Sequence, residues 1–307
     1  MGALLCGFTA SAFLGSIGWL FELTSHFRVQ YAACLLALAA FFLLRRKFRF
    51  VAIFTGFAAA NLIVLAPWLW GAKSPAQSEG NKLRVLLLNV RTENQRYDLV
   101  LACINRFRPD LLVLEEVDEH WLKELARLHE DYPQVVEEPR DDNFGIVLFS
   151  RLPLHSSRIV HLGGAELPSV TAQVDVGFYR FTVLGTHVLP PGTREDFRLR
   201  NDQLDKVADF VASQAGPIIV LGDLNVTPWS YYFQRLVRET RLMDSSKGRG
   251  IQATWPSGVF PLRIPIDHCL VSPEIGVIHR MIGNTVGSDH LPVIVDLQLP
   301  AGDMRAK

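Results

Sequence analysis

Asp223 and Asn225 are the residues whose types and spacing most directly suggest chemistry. They lie in the stretch LGDLN, residues 221–225, which follows the apolar run at residues 217–220. A short β-branched run bounded by glycine and proline predicts a buried strand, and Gly222 is expected to let the chain turn sharply at its end. Asp223 and Asn225 would then present a carboxylate and a carboxamide side by side. The alternative is an ordinary strand-to-loop turn, where Asp and Asn are common.

Polar side chains of the same kind follow several other apolar runs. These residues are Asn89, Glu115, Glu116, His187, Asp289 and His290. In layered α/β folds the strand ends on one side form the ligand crevice, so we expect these groups to converge there. Oxygen ligands suit a hard cation such as Mg²⁺, and imidazoles can donate hydrogen bonds to phosphate oxygens. The set therefore indicates metal-assisted attack of water on a phosphoester.

Several of these residues also have a simpler interpretation. Glu116 is in a place where an acidic residue would favour the N-terminus of the following helix. Asp289 and His290 could form a turn before a strand, and His187 could be a structural histidine. Asn143 could reach a phosphate or be an ordinary loop asparagine. The pattern as a whole, rather than any one residue, favours the catalytic interpretation.

The elements that must position these groups alternate along residues 82–300. Apolar and β-branched runs predict strands at about residues 82–90, 110–116, 134–137, 145–150, 169–176, 179–185, 217–221, 267–271, 277–282 and 291–299. Apolar periodicity predicts helices at about residues 94–107, 118–130, 194–213 and 230–239. This order indicates an α/β domain with mixed sheets, preceded by a polar linker at residues 72–81 and followed by a short tail at residues 301–307.

Seven stretches in this order resemble the endonuclease/exonuclease/phosphatase superfamily, which includes DNase I-like and exonuclease III-like nucleases, inositol polyphosphate 5-phosphatases and neutral sphingomyelinases. The matching stretches are LLLNV, PDLLVLEEV, NFGIVLFSRLPL, GTHVLPP, GDLN, IDHCLV and GSDHLPV. The resemblance covers about residues 82–299. It implies a four-layer α/β sandwich, with two mixed sheets face to face and helices outside, here in a membrane-anchored bacterial-type member.

The resemblance implies a metal side of the site. Glu116 is similar to the principal Mg²⁺ ligand, with Mn²⁺ as an alternative ion, and Asp289 is a candidate second ligand. Asn89 is similar to the asparagine that helps to hold the metal-side water and the phosphate. Glu115 stands where the family commonly has Gln, and we expect it to lie behind the ligands or to be unimportant. His268 stands where the family often has Tyr, and we expect it to be structural.

The resemblance also implies an acid–base side. Asp223 is similar to the carboxylate that orients or deprotonates the attacking water, and Asn225 to an amide that binds the phosphate. His290 would act on the phosphate as electrostatic stabiliser or acid, and Asp267 would fix its tautomer. His187 resembles a phosphate-binding histidine of the nuclease and sphingomyelinase branches.

Residues 1–71 predict a membrane region. Three apolar runs cover about residues 3–21, 29–44 and 50–70, against the 17 to 25 residues that a helix needs to span a bilayer. The tryptophans near the run ends, expected at the membrane interface, are Trp19, Trp68 and Trp70. The basic loop at residues 45–49 predicts a cytoplasmic side, so that three crossings would put the catalytic domain on the periplasmic or extracellular side.

Charge and composition narrow the range of binding partners that we expect. Residues 71–307 contain 26 basic and 30 acidic residues, a formal charge of about −4, which disfavours a nonspecific nucleic-acid binder. Arg194, Arg198 and Arg200 are candidate phosphate contacts, although a solvated helix face is an equal alternative. Cys103 and Cys269, in apolar surroundings, are expected to be buried thiols.

The sequence therefore predicts a membrane-anchored, Mg²⁺-dependent hydrolase of a phosphodiester or phosphomonoester. Nucleic acid, phospholipid and small organic phosphate all remain open as substrates, and no obligate protein partner is expected. The alternatives are a dedicated nuclease and a noncatalytic membrane scaffold on the same fold, which degraded metal and base positions would favour.

Overall fold

Twelve β-strands lie in the part of the chain that the computed structural model describes, residues 1–71 and 80–301. In chain order they are β1 (Lys82–Asn89), β2 (Leu111–Glu115), β3 (Gln134–Glu138), β4 (Ile146–Ser150), β5 (Leu154–His161), β6 (Pro168–Val176), β7 (Tyr179–Thr186), β8 (Ile218–Asp223), β9 (Met243–Asp244), β10 (Asp267–Val271), β11 (Gly276–Ile282) and β12 (Val293–Gln298).

The helices fall into two groups. Those of the N-terminal region are α1 (Gly2–Ser11), α2 (Trp19–Ser25), α3 (Arg28–Leu44) and α4 (Phe48–Trp70). Those of the α/β domain are α5 (Tyr97–Phe107), α6 (Glu119–Leu125), α7 (Arg194–Ala212) and α8 (Tyr231–Thr240). Short 3₁₀ turns lie at Ala12–Leu14, Ala126–Glu130 and Phe260–Leu262.

The strands form two mixed six-stranded sheets. The first has the order β11-β12-β1-β2-β4-β3 and the second the order β5-β6-β7-β8-β10-β9. In each sheet one central pair, β1 with β2 and β7 with β8, is parallel, because a helix returns the chain to the same end of the sheet. The remaining ladders are antiparallel.

Side-chain alternation builds the layers. Along β1, Val85 and Leu87 enter the core between the two sheets, while Leu86 and Leu88 face outward. Helices α5 and α6 cover the outer face of the first sheet, and α7 and α8 cover the second. The predicted sandwich of helices, two sheets and helices is therefore confirmed.

The prediction missed β5. Its residues are mostly exposed, and Ser156 adopts a positive φ of 50° where the pairing with β6 shifts register. A polar edge strand with a bulge lacks the apolar–polar alternation from which strands are recognised, so the sequence pattern predicts no strand there.

The prediction of three membrane spans is wrong. The first run is broken between the turn at Ala12–Leu14 and α2, where the chain bends by 113°, and Gly15 and Gly18 lie at the break. The second run forms the 17-residue α3, about 26 Å long at ~1.5 Å per residue and short of the ~30 Å core of a bilayer. Among the described residues, α4 alone is a continuous helix long and apolar enough to cross, with 23 residues.

The predicted orientation of the α/β domain relative to a membrane depended on the three spans. It counted three crossings between the N-terminus and the α/β domain, so multi-pass topology and a periplasmic or extracellular domain are not supported. Residues 72–79 of the predicted linker and 302–307 of the predicted tail lie outside the described residues. Cys103 and Cys269 are buried free thiols, as expected.

The N-terminal helices pack directly on the α/β domain. Two of the tryptophans expected at a membrane interface instead donate to it: Trp19 Nε1 to the Pro191 carbonyl at 2.9 Å and Trp68 Nε1 to the Asp244 carboxylate at 2.8 Å. Trp229 Nε1 donates in the other direction, to the Ser25 carbonyl at 2.8 Å. Only Trp70 of the three stays exposed.

Candidate active site

The inward-facing side chains of both sheets become polar at one end of the sandwich. In the second sheet Ile219 and Leu221 of β8 belong to the inter-sheet core, and Asp223 is the next residue on that face. Asp267 of β10 is registered directly opposite Asp223. Directly opposed residues of an antiparallel pair share one face, about 5 Å apart, so the two carboxylates must meet.

Asp223, Asp267 and His290 form a buried acid–imidazole cluster. His290 Nδ1 lies 3.0 Å from Asp267 Oδ2, and its Nε2 lies 3.6 Å from Asp223 Oδ2. His187 Nε2 lies 3.7 Å from the same Asp223 oxygen. All four side chains are at most 5% exposed. The structure thus brings together Asp223, Asp267, His187 and His290, four of the five residues that the sequence predicts for the acid–base side.

The pKa values of the two histidines are shifted in opposite directions. Burial alone would lower the pKa of His290, but the carboxylates of Asp267 and Asp223 outweigh it and raise that pKa to about 10. Burial and the charge of His290 lower the pKa of His187 to about 3. His290 is therefore an imidazolium at neutral pH, whereas His187 is a neutral imidazole.

The two aspartates also differ. Burial raises the pKa of Asp223 well above its ordinary value, opposed only in part by His290. Burial would do the same to Asp267, but the charge and hydrogen bond of His290 bring its pKa below the ordinary value. Asp223 is thus the more basic carboxylate, as a group that takes a proton from water must be.

Glu116 begins the metal side of the site. It follows β2 with a positive φ of 60° and accepts a hydrogen bond from Asn89 Nδ2 at 2.7 Å. The alternative role as a helix cap is excluded, because Asp118 is the N-cap of α6 and accepts from the Trp121 amide at 2.7 Å. Glu116 instead lines the cleft at the end of the sandwich, together with Asp289.

Glu116 and Asp289 suit a divalent cation by donor chemistry. Both offer carboxylate oxygens in one cleft, and burial together with the charge of Asp289 raises the pKa of Glu116. A bound cation would relieve that repulsion. The groups Asp223, Asp267 and His290 also lie within 4.8 Å of one another. There, however, His290 Nδ1 is occupied by Asp267, as expected of an acid–base pair.

Asn225 makes the turn that the sequence assigned to Gly222. The φ angle of Asn225 is 48°. Its backbone N–H donates to Asp223 Oδ1 at 2.9 Å, and its side-chain Nδ2 donates to the Val188 carbonyl at 2.8 Å. Gly222 lies inside β8 and serves a different purpose: a Cβ there would approach the Thr186 carbonyl oxygen to 1.9 Å. The glycine therefore allows β7 and β8 to come together, and the prediction of a sharp turn at Gly222 is wrong.

Glu115 has a larger place in the site than the sequence suggested. It is fully buried, and both its carboxyl oxygens accept from the Asp223 amide across the sheets, at 3.2 and 3.1 Å. Burial and the charges of Asp223 and Asp267 raise the pKa of the Glu115 carboxyl well above its ordinary value, which favours its protonated form. The signal was available: Leu111 and Val113 face the core, and alternation puts Glu115 on that face.

The cleft above these groups has a volume of about 550 Å³ and three walls. The first carries the polar groups just described, and the second carries apolar residues that include Phe144, whose ring lies 5.0 Å from that of His187. The third comes from the N-terminal region, namely Leu23, His26 and Phe27. Asn143, a candidate from the sequence, also lines the cleft.

Two other predictions have clear outcomes. His268 is buried, donates from Nε2 to the Val226 carbonyl at 2.8 Å and lies against Phe233, which agrees with a structural role. Arg200 is not a free phosphate contact, because it is fully buried and donates to the Asn225 carbonyl at 2.9 Å. Arg198 pairs with Glu195 on the exposed face of α7.

The N-terminal wall is held by a buried polar cluster that the sequence did not indicate. Glu22 of α2 lies 3.2 Å from Arg200 and accepts from Ser230 Oγ at 2.9 Å. His26 bridges Glu22, at 3.1 Å, and Thr227, at 3.0 Å. Two of the partners of Glu22, Arg200 and Ser230, are more than 170 residues away, so no local pattern could have assigned this cluster.

The reactive groups of both sheets meet at one end of a four-layer sandwich, and this arrangement defines the class: an α/β-sandwich hydrolase of phosphoesters. The chain belongs to the Endonuclease/Exonuclease/phosphatase family, whose sequence model matches residues 86–290. The resemblance noted from the sequence is thereby confirmed. No curated protein sequence matches the chain significantly.

Solved structures share the fold. An endonuclease/exonuclease/phosphatase from Bacteroides vulgatus aligns with a TM-score of 0.62 and 20% identity over 72% of this chain and 100% of that one. A counterpart from Beutenbergia cavernae gives 0.57 and 24% over 72% of each chain. The human Nocturnin catalytic domain gives 0.57 and 21% over 71% and 95%.

Proposed function

We propose that this protein is a divalent-metal-dependent phosphoesterase that hydrolyses a phosphodiester or phosphomonoester by attack of water. The observation that carries the proposal is that His187, Asp223, His290 and Glu116 line one cleft, with Asp267 buried behind His290. This set supplies a base, an acid and a carboxylate for a cation within one site.

The residues divide the reaction between them. Asp223, with its raised pKa, takes the proton of the attacking water. The imidazolium of His290 stabilises charge on the phosphate and supplies a proton to the leaving alcohol, while Asp267 fixes its orientation. Neutral His187 and Asn225 contact phosphate oxygens as hydrogen-bond donors. These roles agree with those implied by the family resemblance.

Glu116 and Asp289 are proposed to hold the metal, Mg²⁺ or Mn²⁺, with Asn89 orienting Glu116 through their 2.7 Å hydrogen bond. When bound, such an ion neutralises charge on the phosphoryl oxygens and makes water a stronger acid. The acidic pair would otherwise repel a phosphate, so substrate binding depends on the cation.

The proposal is tested with the full chain in detergent, using bis(4-nitrophenyl) phosphate and 4-nitrophenyl phosphate with Mg²⁺, with Mn²⁺ and with a chelator. We expect hydrolysis that the chelator abolishes and that Glu116→Ala and Asp223→Ala each lower at least a hundredfold. Glu195→Ala, on the exposed face of α7, is the matched control. Full metal-dependent activity in both cleft variants would refute the site assignment.

We further propose that the N-terminal region attaches the enzyme to a membrane through α4. In the described residues this helix is continuous, apolar and 23 residues long, enough for about 34 Å at ~1.5 Å per residue. The test is fractionation: the full chain should stay with membranes after an alkaline carbonate wash, and release into the wash would contradict attachment.

A further inference from the structure

Exposed apolar side chains surround the mouth of the cleft. Trp255 and Ile264 both line the cleft, and residues 256–263 between them, here called the rim loop, project from the domain. In this loop Phe260 is 78% exposed, and the side chains of Val259 and Leu262 are also exposed. Such side chains in a loop have no folding advantage and mark a contact surface.

The rim loop is fixed beside the N-terminal helices. Gln30 Nε2 of α3 donates to the Arg263 carbonyl, at the end of the loop, at 2.9 Å. On the α2 side Leu23 and Phe27 line the cleft and are themselves partly exposed. The mouth is therefore bordered on two sides by apolar groups of separate segments.

This border continues into a larger apolar surface. Of the 23 large apolar side chains that are strongly exposed among the described residues, 17 lie in residues 1–70. They include Ile17 and Leu20, at the start of the segment that forms the cleft wall. A concentration of this kind marks a membrane-contacting face, and here it reaches the cleft mouth.

The cleft is poor in cationic groups. Within the described part of the chain, no lysine or arginine lines it, while four carboxylates do. Arg91 is close enough to Glu116 and Asp289 to interact with both, but its guanidinium is 2.9 Å from Glu93. A nucleic-acid backbone or a head group with several phosphates requires several cations, whereas a single phosphate is served by one metal ion.

We propose that the substrate is a membrane lipid whose head group carries a single phosphate group, taken from the bilayer surface with its apolar part against Phe260, Leu262, Leu23 and Phe27. This inference rests on the proposed phosphoesterase function and specifies its substrate class. The water oxygen forms a bond to phosphorus and its proton passes to Asp223. The bond from phosphorus to the leaving alcohol oxygen breaks, and His290 protonates that oxygen.

The test compares one head group in two physical states. The full chain is added in detergent-diluted form to vesicles containing phosphatidylcholine, phosphatidylglycerol and phosphatidic acid. Parallel reactions contain the deacylated head groups glycerophosphocholine, glycerophosphoglycerol and glycerol 3-phosphate, and a single-stranded oligonucleotide. We expect at least one vesicle lipid to be hydrolysed at least about tenfold faster than its deacylated counterpart and than the oligonucleotide.

Phe260→Ser and Leu262→Ser probe the rim loop. Each should lower the ratio of vesicle rate to bis(4-nitrophenyl) phosphate rate by about tenfold, because a phenyl or isobutyl group no longer enters the lipid phase. Phe178→Ser is the matched control: Phe178 is 75% exposed, but it lies in the β6–β7 turn, at the opposite end of β7 from His187. Its ratio should equal that of the wild type.

Three results would overturn the lipid assignment: equal ratios for the Phe260→Ser, Leu262→Ser and Phe178→Ser variants, faster hydrolysis of the deacylated head groups, or preference for the oligonucleotide. Each leaves the phosphoesterase function intact if Glu116→Ala is inactive on bis(4-nitrophenyl) phosphate. Absence of hydrolysis of every substrate by the wild type would instead refute the proposed function itself.

Discussion

At the residue scale, Asp223 lies between two imidazoles of different charge. His290 is held protonated by Asp267, while burial keeps His187 neutral. Only one of the two neighbouring imidazoles is therefore charged, so the Asp223 carboxylate has one ion-pair partner rather than two. Its raised pKa suits the removal of a proton from water.

Asp223→Asn tests this role. Asparagine keeps the shape of the side chain but cannot take a proton, so kcat should fall by a factor of about 10² to 10⁴ while KM changes little. Steady-state kinetics on bis(4-nitrophenyl) phosphate measure both. Asp209→Asn, which replaces an exposed aspartate of α7, is the control. A large rise in KM with kcat intact would overturn the division of roles between Asp223 and Asn225.

Glu115→Gln tests whether this buried group is a neutral acid. Because its folded pKa lies above the unfolded value of about 4.3, the folded protein binds the extra proton. The wild type should therefore lose stability as pH rises from about 5 to 8, and Glu115→Gln should lose less, with activity retained. Melting temperatures across that range measure this difference. Parallel curves for the two proteins would show that Glu115 is ionised.

At the element scale, two-residue periodicity decides which polar groups gather at the cleft end of the sandwich. The inward positions of β2, β8 and β10 carry apolar residues in the core and then Glu115, Asp223 and Asp267 at one end. Two packed sheets bring those ends together, so each of these strands contributes the inward residue at that end to the site.

Gly222→Ala tests the close approach of β7 and β8. The added Cβ would meet the Thr186 carbonyl oxygen at 1.9 Å, so the strands must separate, at a cost of about 3 kcal/mol or more in the free energy of unfolding. Activity should fall as well, because Asp223 is the next residue. Gly216→Ala is the control, since nothing lies within 4 Å of its Cβ. Equal melting temperatures for the two variants would contradict this account.

At the scale of the whole molecule, the N-terminal helices and the α/β domain share one polar cluster and one cleft. Glu22 of α2 is the acidic partner of Arg200, and Arg200 in turn holds the Asn225 carbonyl. The N-terminal region is thus part of the site.

Glu22→Gln tests this coupling. Arg200 would keep its charge in a fully buried place, so stability should fall by about 3 to 5 kcal/mol. The matched control, Glu195→Gln, breaks the exposed pair with Arg198, which contributes about 0 to 1 kcal/mol. Thermal unfolding of the full chain in detergent measures both. A Glu22→Gln protein as stable as the Glu195→Gln protein would show that the pair is not coupled to the fold.

The sequence by itself predicted an α/β domain with mixed sheets and the set of polar groups at the strand ends, and the family resemblance carried by its motifs implied the sandwich. It could do so because alternation and strand-end chemistry are local properties: Asn89, Glu116 and Asp223 each follow an apolar run that is readable within ten residues. The polar edge strand β5 was missed for the same reason, since its residues carry no such alternation.

Tertiary structure alone decided the rest. Gly222 serves strand contact rather than a turn, because its neighbour Thr186 is distant in sequence. Glu115 accepts a hydrogen bond from the opposite sheet. The first apolar run lies against the α/β domain because Glu22 pairs with Arg200 and accepts a hydrogen bond from Ser230 there. Hydropathy measures only how apolar a run is. A buried ion pair with a partner more than 170 residues away leaves no local signal in the sequence. The helix in which the first predicted membrane span ends, α2, therefore lines the cleft instead.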